Sequence, residues 1–207
     1  MVPLVALAAF LAGAYTRVLA AAFEEDPPDT RAEARRAFRQ RPSFGRPPWF
    51  EAVTAAVTAL VTWRAGLPYA YFAVMAVTLA AIDRRTSRLP DAITLPSYPI
   101  LALTLLPTGH LGRGLAGAAA LAALYALLWF VRPGAMGLGD VKLAGLIGLA
   151  CAASGWQPWL VAALAGQFLG ALYAVALLIT KRAARDTQFP FGPFMLLGAL
   201  AALCLGG

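Results

Sequence analysis

Two acidic residues stand where a carboxylate is costly. Asp83 closes one apolar run in Ala81-Ile82-Asp83-Arg84-Arg85, and Asp140 opens another in Gly137-Leu138-Gly139-Asp140-Val141-Lys142-Leu143. An Asp at the centre of a membrane helix costs roughly 2.5 to 3.5 kcal/mol, so ionisable groups kept in or beside such segments are functional candidates by default. Asp140 also has a bland reading, as a helix-start residue whose side chain accepts from the free N–H groups of the first turn. What favours chemistry is the pair. Two carboxyls held together in a low-dielectric site cannot both ionise readily, so one keeps its proton and the two titrate as a unit. That is the requirement of aspartyl proteolysis: the ionised member takes a proton from an attacking water while the protonated member donates to the peptide carbonyl oxygen. The flanking Gly137 and Gly139 would allow unusual backbone angles and leave room for a substrate strand. Lys142 reads equally as a catalytic cation or as an interfacial residue with its charge snorkelling to water.

The elements that must position these groups are helices. With 60% hydrophobic and 13% charged residues in 207, and a mean hydropathy of +0.70, the chain has too little polar surface for a soluble globule. Its long continuous apolar runs lack the alternation of barrel strands, which leaves an all-α polytopic membrane protein. Eight runs are expected to span, over residues 1–23, 49–65, 67–83, 92–108, 111–131, 139–154, 157–180 and 189–206. Several are near the lower length limit of about 17 residues. The first is read as a retained span, because its cations follow the apolar stretch where a signal peptide would carry them in front.

Charge sets the orientation. With the N-terminus outside, the inner connections hold Arg31, Arg35, Arg36, Arg39, Arg41, Arg46, Arg84, Arg85, Arg88, Arg132, Lys142, Lys181, Arg182 and Arg185, and the outer ones only Arg64 and Arg113. That bias of 14 to 2 is what the positive-inside rule asks for, so both termini are expected outside and both aspartates at cytoplasmic helix ends. The +7 net charge is explained by orientation, and no nucleic-acid partner is expected. Residues 1–207 are expected to form a single membrane-embedded unit. Residues 24–48 form a basic cytoplasmic loop with a short surface helix near 30–41, read as topological rather than as a lipid or partner contact. Ala144 with Gly148, and Gly166 with Gly170, read as close-packing helix surfaces. Cys151 and Cys204 read as buried structural thiols with no metal-ligand spacing around them, and neither a metal nor another cofactor is expected.

Three motifs carry a resemblance. Asp83 followed by Arg88-Leu89-Pro90-Asp91-Ala92-Ile93-Thr94-Leu95-Pro96, then Gly137-Leu138-Gly139-Asp140-Val141-Lys142-Leu143, then Phe189-Pro190-Phe191-Gly192-Pro193-Phe194, is similar in order and placement to the type IV prepilin peptidases, membrane aspartyl proteases of the GxGD class. The resemblance covers the chain from about residue 50 onward. Ala12-Gly13-Ala14-Tyr15-Thr16-Arg17-Val18 is a looser match on the first span. It implies that Asp83 and Asp140 are the catalytic pair, and that Asp91 is a helix-start acceptor or a supporting group without a direct catalytic role. Gly192-Pro193 most simply starts the last helix, since proline suits a first turn, with a substrate-groove role second.

The implied activity is removal of the short basic leader of pilin-like or pseudopilin-like precursors, at the cytoplasmic face of a bacterial inner membrane and after a glycine, in the service of type IV pili or protein secretion. Long family members carry a zinc-binding domain with two CxxC pairs after the first span and also methylate the new N-terminus. Here the corresponding segment, 24–48, has no cysteine, so peptidase activity alone is expected. Two other classes compete. A proton-coupled transporter would use the two aspartates as a relay, and calls for carboxylates near mid-membrane and broken helices. A noncatalytic assembly subunit would not need the pair.

Overall fold

The computed structural model describes residues 1–131, 136–180 and 190–206 of the chain. The described residues form nine α-helices: α1 Val2–Ala21, α2 Thr30–Phe38, α3 Trp49–Ala65, α4 Ala70–Thr86, α5 Asp91–Leu105, α6 Leu111–Val131, α7 Leu138–Ser154, α8 Trp156–Ile179 and α9 Gly192–Leu205. Eight of these match the eight apolar runs, and α2 is the short helix of the basic segment. Three of them, α1, α6 and Trp156–Leu177 of α8, are long and apolar enough to cross a membrane by length and composition. The run over 67–83 is shifted. It begins with a 3-10 turn over Leu67–Tyr69, and α4 then continues three residues past Asp83. Arg132, Lys181, Arg182, Arg185 and Phe189, used above for topology and motif, lie outside the described residues.

At the centre is α7. Every residue from Leu143 to Ala153 is buried, the signature of a helix apolar all round and enclosed on all sides. It packs against α5, α6, α8 and α9, while α1 packs on α3 and α4, and α9 joins α4 to α8. Small residues permit the closest approach. Gly114 lies against Leu149 and Ala153, and Gly117 against Gly148 and Ala152, so a methyl group at any of these glycines would strike the neighbouring helix. The packing role expected of Gly148 holds, and that of Gly166 likewise, against Met195 of α9. Outward, α6 shows Leu124, Leu127 and Leu128, and α8 shows Leu164, Phe168 and Leu172. Apolar faces of this extent are what lipid covers.

Helix ends explain several charges. The Arg113 guanidinium donates to the Ala152 and Ala153 carbonyls at the C-terminus of α7, at 2.6 and 2.7 Å, and Arg64 donates to Cys204 O near the end of α9 at 2.7 Å. Both cations therefore satisfy orphan carbonyls and complement a helix dipole. Asp29 caps α2, accepting from the N–H groups of Arg31 and Ala32 at 2.8 and 3.1 Å. Those donors hold its carboxyl below the usual carboxylate range. Within α5, Pro96 and Pro99 each remove a ladder bond. The Ser97 hydroxyl donates to Ile93 O at 2.7 Å there and also meets the Tyr71 hydroxyl at 2.8 Å, tying the interrupted helix to α4.

The basic segment is more than a topological loop. Arg17 of α1 donates to Glu51 Oε1 at 3.1 Å and to Ser43 O and Oγ at 2.6 and 2.7 Å, and Gly45 N–H donates to the same Glu51 oxygen at 2.7 Å. Glu33 of α2 is buried, accepting from Glu24 N–H at 2.7 Å, while Arg88 donates to Glu24 O at 2.8 Å. The segment is thus fastened to α1, α3 and the turn after α4. Of the two cysteines, Cys151 is buried as expected, but Cys204 is only half-buried, because it is the next-to-last residue of α9, beside the exposed Leu205.

Candidate active site

Asp83 lies in the last turn of α4 and is 4% exposed. A carboxyl so enclosed needs a hydrogen-bond partner. It has one in the Gly192 N–H, which donates to Asp83 Oδ2 at 3.0 Å. Gly192 is the first residue of α9, whose opening N–H groups have no partner within the helix. Pro193 occupies the first turn, where its missing N–H costs nothing, so the expected helix-start role of the Gly192-Pro193 step is observed. Glycine has a second use. A Cβ at 192 would stand 2.8 Å from Asp83 Oδ2 and 3.5 Å from Leu143 Cδ2, so the backbone of α9 approaches this carboxyl as closely as it does only because no side chain intervenes.

Asp140 is the third residue of α7 and is half-buried. Its Oδ2 accepts from Gly137 N–H at 3.1 Å, so the helix-start reading of this residue is fulfilled. It is not the whole account, because Gly192, whose N–H donates to Asp83, also stands against Leu143, one turn after Asp140 in α7. The ends of α4, α7 and α9 thereby bring Asp83, Asp140 and Gly192 together at one end of the bundle.

The glycines beside Asp140 depart from expectation. Gly137 has φ −86° and ψ 156°, ordinary extended backbone, and the positive-φ glycines among the described residues are Gly66 and Gly109. No special angle is needed there. What Gly139 supplies is proximity: a Cβ at 139 would stand 3.1 Å from Leu89 Cβ, so α7 begins directly against the turn after α4. That turn is made by Ser87 in the left-handed region, φ 49°. At 139 the space left by glycine is occupied by Leu89 of the chain itself.

Asp91 and Lys142 pair with each other. Lys142 Nζ donates to Asp91 Oδ1 at 2.6 Å, joining the start of α5 to the first turn of α7. Asp91, expected as a helix-start acceptor or a supporting group, is engaged in this ion pair, whose partial exposure leaves the Lys142 charge toward water. Deeper in the same interface, the Tyr98 hydroxyl donates to Lys142 O at 2.7 Å, in a gap left by Gly145. An apolar groove of about 380 Å³ lies between α1, α4 and α5, lined by Tyr71, Val74, Met75 and Thr78 of α4. Asp83 is turned away from that face by the helix's 100° per residue.

Comparison with known proteins places the chain in a family. A sequence profile of the Type IV leader peptidase family matches residues 70–175, just over half of the chain, with both aspartates inside the match. The chain belongs to that family. It is similar to a prepilin leader peptidase/N-methyltransferase of Pseudomonas aeruginosa, 29% identical over 78% of this chain and 59% of that protein. It is also similar to that of Pseudomonas putida, 32% identical over 82% and 62%, and that of Bacillus subtilis, 30% identical over 77% and 66%. The matched regions thus span about three fifths of the length of these curated relatives. No solved structure matches the chain. Among the described residues, no group of three or more His, Cys, Asp or Glu is placed to hold a metal ion.

Proposed function

We propose that this chain is a prepilin leader peptidase that cleaves the basic leader of type IV pilin-like or pseudopilin-like precursors with Asp83 and Asp140 as its acid–base pair. The observation that carries the reading is the convergence of a buried carboxyl, the backbone N–H that holds it and the start of α7, which carries the second aspartate, at one end of the bundle, in a chain of the leader peptidase family. In the reaction, one carboxylate removes a proton from water as the water oxygen attacks the scissile carbonyl, and the other carboxyl donates its proton to the carbonyl oxygen. Collapse of the tetrahedral species breaks the C–N bond, the proton taken from water leaves on the new amine, and the second carboxylate recovers its proton from the hydroxyl as the carbonyl reforms. Gly192 N–H holds Asp83 in place as its charge changes. Eight spans with both termini outside would put this end of the bundle at the cytoplasmic face, where a basic leader lies. The precursor's apolar segment would stay in the bilayer.

The transporter reading has less support. Asp83 is in the last turn of α4 and Asp140 in the first turn of α7, which suits chemistry at the membrane surface better than a relay at its centre. Residues 24–48 contain no cysteine, so the activity proposed is cleavage without methylation. Coexpression with candidate precursors and intact-mass measurement tests both parts. Loss of the leader mass with no added methyl is the expected result, and a precursor that keeps its leader in every combination would refute the peptidase reading.

A further inference from the structure

Within α5, Ser97 and Tyr98 stand between two prolines, Pro96 and Pro99, and bond to different helices. The Ser97 hydroxyl meets the Tyr71 hydroxyl of α4 at 2.8 Å, while the Tyr98 hydroxyl donates to Lys142 O of α7 at 2.7 Å. Those are the helices of Asp83 and Asp140. α5 carries neither member of the pair and is bonded to the helix of each. The Tyr98 bond is prepared from both sides. The starts of α5 and α7 are joined by the Asp91–Lys142 pair, and Tyr98, two turns further along α5, leans back toward that end as helical side chains do. A helix carbonyl that accepts from its own ladder keeps a second lone pair, so Lys142 O can take the phenol as well. Three residues on is Gly145, where a Cβ would fall on the Tyr98 hydroxyl. The phenol reaches the carbonyl because no side chain stands in its way.

We propose that Tyr98 is a positioning residue of the peptidase site, its hydrogen bond to Lys142 O setting the height and rotation of the first turns of α7 and, through them, where the Asp140 carboxyl stands relative to Asp83. Lys142 follows Asp140 by two residues, within one helical turn. The hydrogen bond of Asp140 itself comes from Gly137 N–H, at the start of the same helix, so it moves with α7 and cannot fix where α7 stands. Leu89 against Gly139, and Gly192 against Leu143, limit how near α7 comes to its neighbours. Such contacts set a distance, whereas a hydrogen bond also sets a direction. The Asp91–Lys142 pair adds to the same joint, but it is the more exposed of the two ties and the weaker for it. Tyr98 touches neither acid and acts through the backbone of α7.

This inference rests on the peptidase reading, and the experiment separates the two. The full chain in lipid nanodiscs is given a pilin precursor that the wild-type protein cleaves, and kcat, KM and the thermal midpoint are measured for wild type, Tyr98→Phe, Tyr71→Phe and Gly145→Ala. Tyr98→Phe keeps the ring and loses the bond, so kcat should fall roughly tenfold or more from misplacement of one acid, with KM unchanged. Tyr71→Phe removes the other hydroxyl that ties α5 to its neighbours, three turns from Asp83 along α4. It should lower the midpoint by a similar amount and keep the wild-type kcat, which separates positioning from packing. Gly145→Ala keeps the phenol but pushes it off the carbonyl, and should lower kcat as Tyr98→Phe does. Wild-type kcat in Tyr98→Phe would overturn the proposal, and so would an equal fall in kcat for Tyr98→Phe and Tyr71→Phe. If Tyr98→Phe does not accumulate, wild-type kcat in Gly145→Ala overturns it equally. Failure of both to accumulate would make the bond a folding contact and overturn the positioning role. Wild-type protein that cleaves no precursor sinks the peptidase reading, and this inference with it.

Discussion

The Gly192 N–H donates to Asp83 Oδ2 at 3.0 Å across 109 residues of chain. A backbone donor holds a fixed direction, because it is part of a helix end that is itself packed against α4, α7 and α8. The first turn of α9 also presents the positive end of a helix dipole to whatever negative charge Asp83 carries. The position of one carboxyl is therefore set by the docking of a whole helix.

Gly192→Ala tests this directly. The added methyl would stand 2.8 Å from Asp83 Oδ2, and the carboxyl end, being the movable partner, would swing away. Stability should change little, by about 1 kcal/mol or less, while kcat falls by at least about tenfold from misplacement of the acid. Precursor turnover is compared at matched membrane abundance. Wild-type turnover by Gly192→Ala would show that the contact has no part in the chemistry.

A second prediction concerns the basic segment. Arg17 joins Glu51, whose side chain is fully buried, to Ser43. Arg17→Ala leaves that carboxylate with the Gly45 N–H as its remaining partner from the segment and should cost about 2 kcal/mol. The segment 39–48 should become more open to protease, and the thermal midpoint in detergent should fall, with turnover per folded molecule kept. An unchanged midpoint would show that the fastening is incidental.

These cases show what was legible in the residues and what was not. Asp83 and Asp140 were readable because a carboxylate beside an apolar run has to be explained, and the eight runs because apolar length alone marks a candidate span. The partners of the two acids were hidden for physical reasons. Gly192 N–H is a backbone group, which every residue but proline carries, so no residue type announces it. Arg17 stood in the sequence only as part of the looser motif on the first span. The overlooked signal was Glu51, an acid two residues into an apolar run and in need of a partner.

Orientation gives a third test. The starts of α7 and α9 meet the end of α4 that carries Asp83, and the distribution of cations predicts that this end faces the cytoplasm. Reporters fused after Arg41 and Arg85 should read cytoplasm, and those after Thr108 and Ser154 should read outside. Because Arg64 and Arg113 bond to helix carbonyls, they weigh less as topological charges, which strengthens the bias. An outside reading at Arg85 would put both acids on the face away from a cytoplasmic leader.

The pair itself is tested by Asp83→Asn and Asp140→Asn. Asparagine keeps the shape and can still accept from Gly192 N–H or Gly137 N–H, so both variants should fold. What is lost is the charge and the exchangeable proton, each typically worth roughly 10² to 10⁴ in rate. The two carboxyls act as one unit, so the double variant should be little worse than either single one. Asp91→Asn is the internal control. It disturbs a partly exposed ion pair worth about 1 kcal/mol or less and should leave most of the cleavage intact. If the acids served only as helix-end acceptors, each substitution would instead cost about 0.5 to 2 kcal/mol of stability with cleavage retained. The measurement is precursor mobility on a gel, with the membrane abundance of each variant determined alongside. Normal accumulation together with appreciable processing by Asp83→Asn or Asp140→Asn would end the two-aspartate mechanism.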